Sequence, residues 1–134
     1  LKMIADMERI GDQAADIADI VPHLSAPPDG RCGPIRDMAR AVIRMVTESV
    51  DAYVRRDTAL AEAVIRQDDE VDDYFDRVRH ALTALIAQDP GEGERALDLL
   101  MIAKYFERIG DHSTNIAEWV VFAVTGVHNG VEEL

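Results

Sequence analysis

Carboxylates are the residues of this chain whose spacing could do chemistry. Glu107, Asp111, Asn115 and Glu118 follow one another at steps of four, four and three, and Glu8, Asp12, Asp16 and Asp19 repeat those steps. On an α-helix such steps place side chains on one face. Like charges one turn apart cost roughly 0.2–0.5 kcal/mol per pair, and no base shares the helix face of the four acids Glu8, Asp12, Asp16 and Asp19. A solvated polar face is the plainer reading, but such a face more often alternates signs. Hard cations take several oxygen ligands, which carboxylates one turn apart on neighbouring helices can supply. Cation binding is therefore the chemistry this pattern favours.

A third set lies between these two. Asp69 and Asp73 are four apart with Asp76 a turn further on, opposite Val71, Phe75 and Val78. Asp68 and Asp72 have the same spacing but lean toward the apolar flank, so Asp69/Asp73 is the expected register. At 100° per residue, Glu107, Asp111, Asn115 and Glu118 fall within a sector of about 80°. Ile102, Ile109, Ile116 and Val120 fall opposite, which places the acids on an outward face.

Two of the sets belong to a repeated block. Residues 8–21 read ERIGDQAADIADIV, and residues 107–120 read ERIGDHSTNIAEWV, with eight of fourteen positions identical at an offset of 99. Amphipathic helices match by chance at two or three such positions, so the block argues for duplication. Each copy holds a glycine, Gly11 or Gly110, that costs about 1 kcal/mol against Ala in mid-helix. Both flank the apolar stripe, and close helix packing is the expected reason. Arg9 and Arg108 adjoin the acids as surface ion-pair partners or anion contacts.

Helices must position these residues. Met3, Met7, Ile10, Ala14, Ile17 and Val21 recur at helical steps over residues 1–21, and Pro22 ends the run. Residues 22–34 hold four of the five prolines and read as a linker. Apolar stripes then predict helices over 35–56, 58–88 and 93–125, with Asp57 as an N-cap and Gly126 as a C-cap. No strand pattern competes. Three long amphipathic helices joined by tight connections predict an all-α fold, an antiparallel three-helix bundle of spectrin-like kind. The helix before the linker is left over. It must bury its apolar face against upstream helices or against another chain.

Composition narrows the function. A net charge of −12 in 134 residues cannot hold a phosphate backbone by bulk electrostatics, so nucleic acid is not an expected partner. An anionic membrane surface is disfavoured for the same reason, and no apolar run is long enough to span a bilayer. The single cysteine, Cys32, permits no disulfide framework within the chain and suits a reducing compartment. The chain opens at Leu1 already in helical register, without a signal-peptide pattern, so further residues upstream are expected.

In the block ERIGDxxxNIAE at 107–118, its degenerate copy at 8–19, and AxxVIxxDxxVD at 61–72, the sequence resembles the PhoU family of prokaryotic phosphate-uptake regulators. The resemblance covers nearly the whole chain. It implies two tandem three-helix bundles, of which residues 1–21 would be the last helix of a truncated N-terminal repeat. Residues 35–126 would be the complete C-terminal repeat, and 127–134 a tail. Family members carry E/D-x-x-x-D pairs that bind metal clusters. Carried over, these are Glu107/Asp111 with Asp69/Asp73 in the second bundle, and Glu8/Asp12 in the first, whose partner helix is not in this chain. The metal would be zinc, iron, manganese or magnesium.

The resemblance further implies a non-enzymatic, cytoplasmic, homo-oligomeric regulator. It would dock on the ATPase of a phosphate ABC transporter and on a membrane sensor kinase, with no nucleic acid and no membrane insertion. Its rivals are a metal-free helical interaction module, a di-metal carboxylate enzyme and a phosphotransfer helix. The di-metal enzyme needs inward acids and Glu-x-x-His pairs, and no such pair occurs. The phosphotransfer helix would need His80 or His112 as an exposed reactive group.

Overall fold

The computed structural model describes residues 2–24 and 33–126. Most of the expected linker, with Cys32, and the expected tail at 127–134 lie outside the described residues. The elements are α1 (Lys2–Ile20), a 3-10 turn (Val21–His23), α2 (Gly33–Arg55), α3 (Thr58–Gln88), a second 3-10 turn (Pro90–Glu92) and α4 (Gly93–Thr125). The chain is all-α, as the apolar periodicity predicts, with no strand among the described residues.

The boundaries follow local chemistry. Pro22 cannot donate the next helical hydrogen bond, and α1 gives way there to the 3-10 turn. Between α2 and α3, Arg56 turns the corner in the left-handed region at φ 55°. Asp57 then caps α3, its carboxylate accepting the Leu60 N–H at 3.0 Å. Asp89 ends α3 and accepts the Gly91 N–H at 3.0 Å, which tightens the turn into α4. Gly126, at φ 77°, closes α4 by donating to the Phe122 carbonyl at 2.7 Å. A Cβ would be strained in that left-handed cap.

α2, α3 and α4 pair with one another as an antiparallel bundle. Their stripes meet in a core of Met38, Val42 and Met45 from α2, Val64, Val71 and Val78 from α3, and Leu99, Ile116 and Ala117 from α4. Buried Ser49 and Ser113 spend their hydroxyls on carbonyls of their own helices, Val46 at 2.9 Å and Ile109 at 3.0 Å. Neither leaves an unmet donor in the core.

The leftover helix has a seat. α1 lies along α4 and runs antiparallel to it: Asp6 reaches His112, while Leu24 lines a cavity with Glu92 and Arg95 at the other end. Ile10 and Ile109, equivalent positions of the repeat, line one cavity. The two copies of the block therefore meet about a local two-fold relation. Between α1 and α2, with α4 as its floor, runs an apolar trough. Its two cavities, of about 310 and 270 Å³, are lined by Ile10, Ala14 and Ile17 on one side and by Ile35, Val42 and Val46 on the other.

The seat covers only part of α1. Ile10 and Ile17 pack on the core, but Ile4, Met7 and Val21 stay exposed. The two glycines differ in the same way. A Cβ on Gly110 would lie 3.6 Å from Val71 Cγ1 and 3.8 Å from Met45 Sδ, whereas one on Gly11 would meet nothing within 4 Å. Gly110 is closed over by α2 and α3 and Gly11 is not, but a methyl would sit at ordinary contact distance even at Gly110, so packing within this chain demands glycine at neither position. Gly11→Ala is therefore expected to stabilise the chain by about 0.5–1 kcal/mol, the helix-propensity gain alone. Gly110→Ala, at ordinary contact distance, should not lower the melting temperature. Gly110→Leu should lower it by many degrees through overpacking. Thermal unfolding followed by circular dichroism reads all three.

Candidate functional site

The acidic site forms where α3 and α4 run side by side. Val71 of α3 lies against Gly110 of α4, and this close approach brings the acids one turn to either side within mutual influence. Burial raises the Asp68 carboxyl above the ordinary carboxylate range, and the charges of Asp111, Asp69, Glu107 and Glu118 raise it further. Asp72 is raised by burial and then by Asp68 and Glu107. Asp111 is raised by burial, Glu107 and Asp72, against the opposing pull of His112 and Lys104. These three groups, with Glu107, repel one another across the α3–α4 seam.

On α3 it is Asp68 and Asp72, more than the expected Asp69 and Asp73, whose carboxyls feel the charges of α4. Asp73 turns to its own helix and pairs with Arg77 at 2.7 Å, and Asp76 pairs with Arg79 at 3.7 Å. The reason is geometric. An acid that addresses a neighbouring helix must stand on the flank of the apolar stripe, and the residues opposite the stripe face solvent. Asp68 and Asp72 lean toward that flank, and both stand as fixed positions in the quoted string at 61–72. Similarly, Glu107 on α4 is not held straight outward: its side chain is only 17% exposed.

Glu8 and Asp12 stand apart. Both are exposed on α1, and the principal charges acting on Asp68, Asp72 and Asp111 all come from α3 and α4. The structure does not bring Glu8/Asp12 together with Glu107/Asp111. Arg108 lies 5.9 Å from the Tyr105 ring centre.

Whether these acids suit a metal divides into chemistry and spacing. Asp68 Oδ1 is buried without a hydrogen-bond partner, and repelling oxygens are a donor set for a hard cation. The spacing does not fit: among the described residues no group of three or more His, Cys, Asp or Glu is placed to hold a metal ion.

Sequence reasoning missed one polar cluster. Asp6, nearly buried on α1, accepts from His112 Nδ1 at 2.8 Å and Asn115 Nδ2 at 3.2 Å. The repeat comparison begins at residue 8 and passes it by. Its signal was an acid on the α1 stripe, one turn before Ile10. His112 is consequently not the free histidine that phosphotransfer would need. His80 is exposed, with Nδ1 2.7 Å from the Asp76 carbonyl oxygen.

Comparison with known proteins follows this geometry. The PhoU domain family model matches residues 35–120. The chain is 34% identical over 127 residues to the phosphate-specific transport system accessory protein PhoU homolog of Clostridium acetobutylicum, covering 94% of this chain and 58% of the relative. It is 39% identical to the homolog of the same name from Zymomonas mobilis, covering 94% and 54%. The crystal structure of PhoU from Pseudomonas aeruginosa superposes with a TM-score of 0.88 at 35% identity, over 94% of this chain and 61% of that one. The regulatory protein PhoU of Streptococcus pneumoniae shares the fold, with a TM-score of 0.79 at 22% identity, over 96% and 61%. The chain thus spans little more than half the length of the relatives it matches. These relatives are named as accessory or regulatory proteins, which agrees with the non-enzymatic expectation.

The raised carboxyls carry a sign. Asp68, Asp72 and Asp111 bind protons more tightly folded than unfolded, so their contribution to stability rises as pH falls through their folded pKa values. At neutral pH their repulsion is present in full. Asp68→Asn is expected to raise the melting temperature by a few degrees at pH 7. That advantage should shrink to nothing near pH 3.5, below the ordinary carboxylate range. Paired melts of the two proteins at both pH values check this, and an unchanged difference would contradict it.

Proposed function

The chain belongs to the PhoU family, and on that premise we propose that it is a cytoplasmic regulator of phosphate transport and phosphate-starvation signalling. It acts by docking on the ATPase of a phosphate ABC transporter and on a membrane sensor kinase, and represses the starvation response when phosphate is ample. The observation that carries this reading is the match to PhoU accessory proteins over 94% of the chain, joined to the fold agreement with PhoU of P. aeruginosa. Two features are in keeping with docking. None of the described helices is long and apolar enough to cross a membrane, and α1 presents Ile4, Met7 and Val21 to solvent.

α1 is the last helix of a second three-helix bundle in this reading. Gly110 is covered by Met45 of α2 and Val71 of α3, while its equivalent Gly11 is bare. Given the two-fold relation between the copies, two further helices would cover Gly11 as α2 and α3 cover Gly110. Homo-oligomerisation is a further part of the proposal.

The acidic seam holds a divalent or iron-type metal ion in this reading, with Asp68, Asp72, Glu107 and Asp111 as ligands and Glu8/Asp12 serving the other bundle. Asp68 Oδ1, buried and unpartnered, supports it. Binding would require these side chains to close up from their present spacing. A metal-free interaction module is the second reading, and that same spacing favours it.

Deleting the gene in its host should switch on starvation-responsive phosphate uptake in phosphate-rich medium, and the tagged protein should co-purify with the transporter ATPase. Normal repression in the deletion strain would sink the regulatory reading. Manganese titrated calorimetrically into the chain should give saturable heat that Glu107→Ala/Asp111→Ala loses. Equal heats from both would sink the metal reading and leave regulation standing.

A further inference from the structure

We propose that the face formed by α1 and α2 is where a second copy of this chain docks, with α1 of each copy lying along α2 of the other. The inference rests on the homo-oligomerisation proposed above and names the surface that performs it.

Both helices carry a free seam. On α1 and the turn after it, Ile4, Met7, Gly11, Ala14, Ala18 and Val21 follow at alternating steps of three and four, and all are exposed. α2 buries one such series, Ile35, Met38, Val42, Met45, Ser49 and Ala52. It carries a second on its outer side, Arg36, Arg40, Ile43, Thr47, Val50 and Val54. Ile43 is 62% exposed and Val54 71%. This alternation is the spacing by which one helix seats another along its length. Apolar side chains gathered on one face and left to solvent mark an interaction surface.

The two seams match in level and in charge. α1 and α2 run antiparallel across the trough: Val21 and Arg36 line one of its cavities, Ala14 and Ile43 the other. At equal rise per residue, Met7 is then level with Val50 and Ile4 with Val54. A two-fold axis parallel to the helices keeps every level and exchanges the two sides, so it sets α1 of one copy on α2 of the other. Ile4 and Met7 then meet Val54 and Val50 of the second copy, apolar on apolar. Ala14 is small where Ile43 of the second copy arrives. Asp19 stands level with the stretch between Arg36 and Arg40 of the second copy, so the acidic half of α1 lies on the basic half of α2. Among the described residues, Arg36, Arg40 and Asp19 make no ion pair within the chain. A two-fold axis across the helices would instead lay α1 on α1, acid against acid. Charge thus selects the first arrangement, which is isologous and closes at two copies. A helix upstream of Leu1 seated on Gly11 is the rival occupant of this face.

Sedimentation equilibrium of the full chain tests the proposal, with a dimer expected at about tens of micromolar. Ile43→Arg, a change at an exposed position, should weaken dimerisation about ten-fold or more. Arg36→Glu/Arg40→Glu and Asp19→Arg should each weaken it too. An equimolar mixture of those two variants should dimerise more tightly than either alone, because each mixed contact pairs opposite charges. Far-UV circular dichroism of every variant should stay helical, which separates lost docking from lost folding. A chain that stays monomeric overturns the inference and homo-oligomerisation with it, and leaves the face to the upstream helix. A dimer indifferent to Ile43→Arg overturns this surface while homo-oligomerisation stands. Variants that weaken the dimer without recovery in the mixture overturn the pairing of α1 with α2.

Discussion

One helix in this chain is packed on three others, and that constraint decides where everything else can be. α4 meets α2, α3 and α1, so little of its circumference is free. Toward α2 and α3 it must be small or apolar, which is met by Gly110, Ser113, Ile116 and Ala117, all buried. Toward α1 it offers Ile109 and the polar pair His112 and Asn115. The acids Glu107, Asp111 and Glu118 occupy what remains, the strip where α4 borders α3. Their mutual repulsion follows from that crowding, because they share one strip in which Glu107 is largely shielded from water.

Amphipathic periodicity makes much of this legible before any coordinates. The four helices, the Asp57 and Gly126 caps and the break at Pro22 all follow from residue types and steps of three and four. The partner register on α3 is harder, because a wheel for one isolated helix sorts residues into core and solvent. It has no third category for a flank that faces a neighbour. Asp69 and Asp73 look best when solvent is the only alternative to core. That Asp68 and Asp72 feel the charges of α4 emerges only once α4 is known to lie alongside, with Val71 against Gly110. Asp6 escapes for a related reason. Its role depends on His112, more than a hundred residues away, and no local pattern announces a contact of that range.

The repeated glycine shows how one local signal can have different meanings. In both copies it is the small residue of an amphipathic helix and carries the same propensity cost. At Gly110 the space beside the helix is lined by Met45 and Val71, with room for a methyl and little more. At Gly11 nothing in this chain lines it. Sequence shows that a glycine is there, and only packing shows whether anything uses the space.

The contact of α1 with α4 also bears on which helices can pair at all. Helices that descend from one block and meet about a two-fold relation have the geometry of an isologous interface, the kind two identical subunits form. A chain built this way risks pairing α4 with α4 of another molecule as readily as with its own α1. Asp6 removes that ambiguity. At its equivalent position on α4 stands Tyr105, so an α4–α4 pair would set His112 and Asn115 against a phenol instead of a carboxylate. The nearly buried Asp6 would meanwhile lose both of its donors, a loss that unpaired buried charge makes costly. One diverged residue thus tells a self-pairing surface which copy it belongs with.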